Sequence, residues 1–505
     1  MVVTADRSTH LTGARAAVLA RLWGAIFREA LPGIARREVA GDTVSVTLAD
    51  GRLLTGPAAA VVPFASAIDG LFVRMGGEWY DDPAELAAVL PLGRYQDRFV
   101  TELADSVANL ALARSVQPRP DGGPLYLSRR PSLAALEQCV IDGHPLHPLC
   151  RTRLGMSSAE VAAYAPEHRP VVALMVYRVP ADRWHSTGAG MPPLLPVHPW
   201  QASHLLTDYP FCSPTGITVL ASPLMSLRTL ALRDDSRYHL KTAVDVQMTS
   251  AVRTISPAAV HNGPLLSGWL TPLAARAGIQ LLREVSGGAV LVGGAPARSL
   301  AVLRREAPVP GPGEVVLPLA VLSAPSPASG RALLTELPRS FLDDLLTLLL
   351  PALLKLLSAG VALEAHGQNT LVAVRDGVPV RILYRDLGGI RVLPSRLDKA
   401  GIDPPPVLGD LIAPDEDALR TKLYAAVSTV VGELASTAAR EFGEPPAVLW
   451  GTAADVVRGA VDADAGDVSV LLGPVLPVKA TTMMRLAGDP LSDRFTTLDN
   501  PMAQR

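Results

Sequence analysis

The apolar run Leu345–Leu363 leads without a break into Glu364-Ala365-His366-Gly367-Gln368-Asn369, and this junction constrains the fold more than any other part of the sequence. Pro351, Lys355 and Gly360 interrupt the run, so a buried helix that delivers the following loop is expected, and a membrane span is not. After the loop, Thr370–Val374 reads as a strand, Arg375-Asp376-Gly377 as its turn and Pro379–Tyr384 as the returning strand. Such a hairpin brings Asn369 and Asp386 to one end, where an amide oxygen and a carboxylate can share a hard cation such as Mg²⁺. The alternative is a buried Glu and His that cap a turn after a helix.

Protein kinases hold Mg²⁺ with an Asn and an Asp on two comparable loops, but their catalytic loop adds an Asp as base. Around His366 the chain offers only Glu364 and the imidazole itself. That departure suits a nucleotide site whose nucleophile is already ionised, such as a carboxylate. A second cluster runs through Ser226, Arg228 and Thr229, then Lys241, then Thr249, Ser250 and Arg253. Ser226 and Arg228 are expected on one face of a strand, with Lys241 brought beside them by the next run. Three cations and several hydroxyls so gathered call for an anion, because Arg forks match phosphate or carboxylate oxygens. Solvated edge strands are the alternative.

Two His-Pro segments add to this: Gly143-His144-Pro145-Leu146-His147-Pro148, continuing to Arg151, and Pro196-Val197-His198-Pro199-Trp200-Gln201. Proline between the histidines forbids a helix, so His144 and His147 do not form the one-face pair of a zinc metalloprotease. Gly287-Gly288 and Gly293-Gly294 flank a short apolar run without the Lys of a phosphate loop, and both pairs are expected as hairpin turns.

Taken in order, the Gly-His-Pro-Leu-His-Pro box, the His-Pro-Trp-Gln box, Ser226-Leu227-Arg228-Thr229, Lys241 with Thr249-Ser250-Ala251-Val252-Arg253, and His366-Gly367-Gln368-Asn369 with Arg385-Asp386 form a distinctive series. The series resembles the siderophore synthetases that act independently of nonribosomal peptide synthetases, the IucA/IucC or aerobactin synthetase family. The likeness spans nearly the whole chain and reaches Lys479 and Met484-Arg485-Leu486. It implies an α+β, multi-domain, hand-like architecture. The parts would be a helical thumb over 1–143, β-rich fingers carrying the ATP and substrate strands over 144–325, and a helical, kinase-like palm over 326–505.

The resemblance also implies an AMP-forming ligase. Such an enzyme adenylates a polycarboxylic acid, citrate or a derivative, with ATP and Mg²⁺, then joins it to an amine or hydroxyl nucleophile. On this footing Arg253, His366 and Lys241 are the catalytic candidates. Ser226, Arg228, Thr229, Lys241, Arg253 and Asp386 would bind ATP. His144, His147, Arg151, Thr249, Ser250, Arg253 and His366 would bind substrate, and Glu364, Asn369 and Asp386 would hold the metal. The chain departs from the family at Arg151, where Lys is common; a planar fork there replaces a point donor and opens the site to acids other than citrate. A kinase-like small-molecule phosphotransferase and a non-catalytic polyanion or siderophore binder remain the alternatives.

The 505 residues are 49% apolar and suffice for two or three cores. With 46 basic against 48 acidic residues the chain has no nucleic-acid footprint. Cys139, Cys150 and Cys212 form no paired pattern and are expected as reduced thiols. Asp6, Arg7 and His10 precede an amphipathic stretch from Ala14 to Ala30, so a signal-peptide core is not expected. A cytoplasmic protein without a membrane partner follows as the expectation, with a homodimer compatible. Along the chain we expect a hairpin over Glu38–Leu54 turning at Asp50-Gly51, helices over Ala84–Leu90 and Gln96–Ala113, and strands over Val171–Val179, Ile217–Leu220, Leu227–Leu232 and Val244–Ser250.

Overall fold

The computed structural model describes residues 2–62, 64, 70–489 and 492–503. The apolar run begins as a helix, Phe341–Ser358, whose Leu345, Leu346, Leu349, Leu353 and Leu357 are buried. It stops short of the expected end because Gly360 takes φ 93°, and Val361–Ala362 then pairs as a strand with Arg391–Val392. A Cβ at Gly360 would stand 2.8 Å from the Arg396 side chain and 3.0 Å from the carbonyl of Leu393, so the turn has no room for another residue. The helix packs against Glu416–Phe442 and Pro446–Arg458 in the largest apolar core. Among the described residues no helix is long and apolar enough to cross a membrane.

Thr370–Arg375 and Val378–Tyr384 form the expected antiparallel hairpin. Asp376 at φ 50° and Gly377 at φ 80° make its two-residue turn, where positive φ at both positions matches the twist of the strands. At the open end Thr370 pairs with Tyr384, and the Arg385 N–H donates to the carbonyl of Asn369 at 3.0 Å. Asn369 and Asp386 therefore leave the hairpin side by side. The two strands become the centre of a four-stranded sheet whose edges, Ile279–Leu281 and Glu314–Pro318, come from earlier in the chain. A division at residue 325 passes through this sheet.

An eight-stranded sheet fills the middle of the chain, and Tyr238–Thr242 lies near its centre between Thr229–Leu232 and Ala295–Glu306. Two expectations are corrected here. Ser226 and Arg228 sit on the turn between Ser213–Pro223 and Thr229–Leu232, not on a strand, because the Leu224 N–H reaches the carbonyl of Thr229 and closes the hairpin at 2.8 Å. Of the two glycine pairs only Gly293-Gly294 is a turn. Gly287 and Gly288 lie inside the strand Glu284–Val292, where a Cβ on Gly288 would come within 2.4 Å of the Trp184 ring.

The N-terminal segment folds as a helix, Val2–Arg28, against Gln96–Ser115 and a five-stranded sheet. The side chains of Asp6 and Arg7 lie outside the described residues. The hairpin expected over Glu38–Leu54 is three strands, Ile34–Ala40, Thr43–Leu48 and Leu53–Pro57, because Gly41 at φ 58° supplies a second turn. All three cysteines are buried free thiols.

Candidate active site

Four histidines share one local device. Nδ1 of His144, His147, His198 and His366 accepts the backbone N–H two residues on, at 3.2, 3.0, 3.2 and 3.3 Å. In the His-Pro boxes the next residue has no N–H to offer, so the ring closes the turn as an Asn or Asp side chain would. An accepting Nδ1 leaves the proton on Nε2. Burial enforces the neutral form, pushing His144 and His198 down to about 3 and lowering His147 and His366 as well. His147 Nε2 lies 2.6 Å from the Ser250 hydroxyl, which on this tautomer accepts its proton and keeps its own hydrogen for another acceptor.

This neutrality has a cost at low pH that can be measured. His198 is held below its usual value by burial alone, so its contribution to stability is complete above about pH 6.5 and is lost as pH falls toward its folded value of about 3. His198→Asn keeps an acceptor for the Trp200 N–H but cannot be protonated. Between about pH 7 and pH 5 the wild type should lose up to about 2 kcal/mol more than the variant in denaturant unfolding. Parallel losses would show that His198 does not titrate in this way.

Thr249 and Ser250 form the turn between Val244–Met248 and Ala251–Arg253, and Thr249 is held at φ 55°. That turn brings the Thr249 hydroxyl under Arg253, whose Nη2 donates to it at 2.6 Å. Burial and the nearby cations Arg228 and Arg153 push the Arg253 guanidinium down to about 10, with Asp386 opposing. Arg228 donates to the carbonyl of Thr254 at 2.6 Å. Lys241, opposite Thr229 in the sheet, donates Nζ to Asp386 at 2.7 Å. Burial would raise the Asp386 carboxyl, but Lys241, Arg305 and Arg228 outweigh it and hold the group well below the usual range. The expected Arg228, Thr229, Lys241, Arg253 and Asp386 thus converge with Thr249, Ser250, His147, His144 and His366, and Ser226 lies on the same turn as Arg228.

Two expected residues are placed differently. Arg151 is 3% exposed, donates Nε to the carbonyl of Ile141 at 2.5 Å and Nη2 to that of Val140, and meets the buried Glu167 at 3.5 Å. It is a packing residue behind the His-Pro loop, so its difference from Lys says nothing of the acid. Glu364 receives Lys479 at 3.0 Å and Lys422 at 3.1 Å, and both lysines also contact Asp493 at 2.7 Å. Both ammonium groups meet Oε1, just as Lys241 meets Oδ2 of Asp386, so each of these carboxylates is ion-paired through one oxygen. Asp386 and Asn369 still offer two oxygen donors at one hairpin end. That set suits Mg²⁺, which takes one or two protein ligands and fills its shell with phosphate oxygens and water. Among the described residues no group of three or more His, Cys, Asp or Glu converges to cage a metal.

Several neighbours escaped the sequence reading. Arg305 stands opposite both His239 and Glu284 in the sheet, and burial pushes its guanidinium down to about 10. In sequence Arg304-Arg305-Glu306 reads as a solvated strand end. Glu137 is likewise invisible: its carboxylate receives Arg385 Nη1 at 2.7 Å and the Met225 N–H at 2.8 Å, while Arg385 Nη2 donates to the carbonyl of Gln368 at 2.9 Å. One buried ion pair therefore ties the Ser226 turn, the His366 loop and the Asp386 loop together.

Residues 132–191 and 192–324 match the IucA / IucC family, and residues 339–490 match the ferric iron reductase FhuF-like transporter family. The chain is similar to staphyloferrin A synthase of Staphylococcus aureus, 28% identical with 72% of each chain covered. It is also similar to L-2,3-diaminopropanoate--citrate ligase of the same organism, 24% identical over 72% of this chain and 74% of that one. In fold it is similar to ATP-bound aerobactin synthetase IucA of Klebsiella pneumoniae, with TM-score 0.77, 18% identity, and 97% of this chain and 99% of that one covered.

Proposed function

Because the chain belongs to the IucA/IucC family, we propose that it is an ATP-dependent ligase that activates a carboxylate of a polycarboxylic acid, citrate or a derivative, as an acyl-adenylate and joins it to an amine or hydroxyl in siderophore or related biosynthesis. The names of the relatives support citrate and an amine as partners, and the ATP-bound neighbour supports the nucleotide. One observation carries the reaction class: Glu364, the side-chain carboxylate on the His366 loop, is neutralised by Lys479 and Lys422. Burial would raise its carboxyl, yet the two lysines hold it low, so it is a weak base. An alcohol acceptor would need a base to lose its proton; an ionised carboxylate needs none.

In this reading Arg228, Arg253 and Lys241 offer fixed donors where charge gathers on phosphate oxygens, the kind of stabilisation that needs no reorganisation during reaction. The neutral His366 and His144 present Nε2–H donors that orient the acid without taking its proton. Ser250, fixed by His147, offers a hydroxyl to a further carboxylate, whereas the Thr249 hydroxyl accepts from Arg253 and gives its own hydrogen to the carbonyl of Met248. Asp386 and Asn369 would hold Mg²⁺, which when bound neutralises phosphate charge and aligns the phosphates.

Turnover should release AMP and pyrophosphate, and hydroxylamine should trap an acyl hydroxamate when ATP and the correct acid are supplied without an amine. Stoichiometric ADP with a phosphorylated product would replace this reading with a small-molecule phosphotransferase.

A further inference from the structure

Glu284 is an acid beside the site that the reaction described above leaves unused. It opens the strand Glu284–Val292 opposite Arg305, Arg305 stands opposite His239, and Lys241 follows His239 by two residues, so all four side chains leave one face of the sheet. The helix Pro257–Ala277 packs on that face. Its Ser267 hydroxyl accepts the Glu284 N–H at 2.8 Å, and a Cβ at Gly263 would stand 2.5 Å from Oε2 of Glu284, so the carboxylate occupies a recess that a glycine leaves open. The same helix packs against Leu387–Gly389, the turn that follows Asp386. The recess therefore borders the loop that carries Asp386.

Glu284 is 3% exposed, and among the described residues no donor bonds its carboxylate, not even Arg305, whose own Nε is buried without an acceptor. A buried carboxylate without a donor is costly to keep. Burial raises its carboxyl; Lys241 opposes this, Asp386 adds to it, and Arg305 and Arg228 oppose it further. Two carboxylates thus lie in the field of one ammonium, and Lys241 gives Nζ to Asp386 at 2.7 Å. A metal ion on Asp386 would meet that ammonium at short range, where repulsion between like charges is strongest. Protein kinases divide these tasks, with one acid for Mg²⁺ and another for the lysine that holds the phosphates.

Resting on the reading of Asp386 as a metal ligand and Lys241 as a phosphate donor, we propose that Glu284 is a positioning residue for Lys241: with Mg²⁺ on Asp386, the Lys241 ammonium passes to Glu284 and keeps its remaining hydrogens for phosphate oxygens. Metal and lysine then stand on separate carboxylates. In the empty protein the ammonium occupies an oxygen of Asp386 instead, so the metal and the nucleotide bind best together.

The test reads the factor by which Mg²⁺ tightens ATP binding, from calorimetric titrations of ATP with Mg²⁺ and with EDTA, in the absence of any acid substrate. Glu284→Gln keeps the shape of the side chain and the main-chain bond to Ser267 but cannot pair with the ammonium, and it should cut that factor by about tenfold, the scale of one lost charged contact. In a Lys241→Gln background the same substitution should leave the factor as it was. With ATP still bound, an unchanged factor in Glu284→Gln overturns this assignment alone. An equal loss in both backgrounds overturns it too, because Glu284 would then act on the metal without the lysine. No binding of ATP by the wild type, with or without Mg²⁺, overturns the nucleotide reading and this assignment with it.

Discussion

Arg253→Ala should slow acyl-adenylate formation by about a hundredfold or more, the scale of a lost preorganised donor at a developing charge. The guanidinium is desolvated beside Arg228 and Arg153, so it sits in a field of like charge that Asp386 offsets in part and a bound anion would relieve further. Its removal also takes the Nη2 donor, at 2.6 Å, from the Thr249 hydroxyl, which keeps its own bond to the carbonyl of Met248. Relief of cation repulsion should leave the thermal midpoint unchanged or slightly raised. Pyrophosphate release with saturating ATP and acid measures the effect. Wild-type turnover would mean that Arg253 only braces the Thr249 turn.

The second large effect is expected at the buried pair behind the site. Arg385→Met strands the Glu137 carboxylate, whose side chain has 0% exposure, and should cost about 3–5 kcal/mol in stability. It also removes Nε and Nη2 from the carbonyl of Gln368, at 3.1 and 2.9 Å, so the His366 and Asp386 loops keep only the main-chain bond between Arg385 and Asn369 in place of this side-chain tie. Adding Glu137→Gln to that variant removes the stranded charge while keeping an acceptor for the Met225 N–H. The double variant should regain most of the lost stability yet remain slow in adenylate formation. Recovery of both would make Arg385 a packing residue only; recovery of stability alone marks it as the residue that positions the two loops.

Local signals were enough for part of this. Asp376-Gly377 demands positive φ at two consecutive positions, so the hairpin and its register follow from the sequence, and with them the meeting of Asn369 and Asp386. The proline after His144, His147 and His198 removes the next N–H, which is why these boxes are loops; the ring that then closes each turn is a finer consequence of the same chemistry. Leu227–Leu232 misled because alternation of side chains looks alike on a strand and on the turn that precedes it, and only the Leu224 contact with Thr229 ends the ladder there. Gly287-Gly288 misled because nothing local announces the Trp184 ring that crosses the strand at that point.

The sequence by itself determined which side chains could gather into a polyanion site and which loops would carry them, because turns, prolines and strand alternation act over a few residues. Tertiary structure alone decided their charge states and partners. Lys422, Lys479 and Asp493 approach Glu364 from far along the chain and pair its Oε1 with two ammonium groups. Glu167 and two carbonyls draw Arg151 into packing, and Glu137 meets Arg385 across most of the molecule. An ion pair depends on distance and desolvation in space, and neither is written in the neighbours of a residue along the chain.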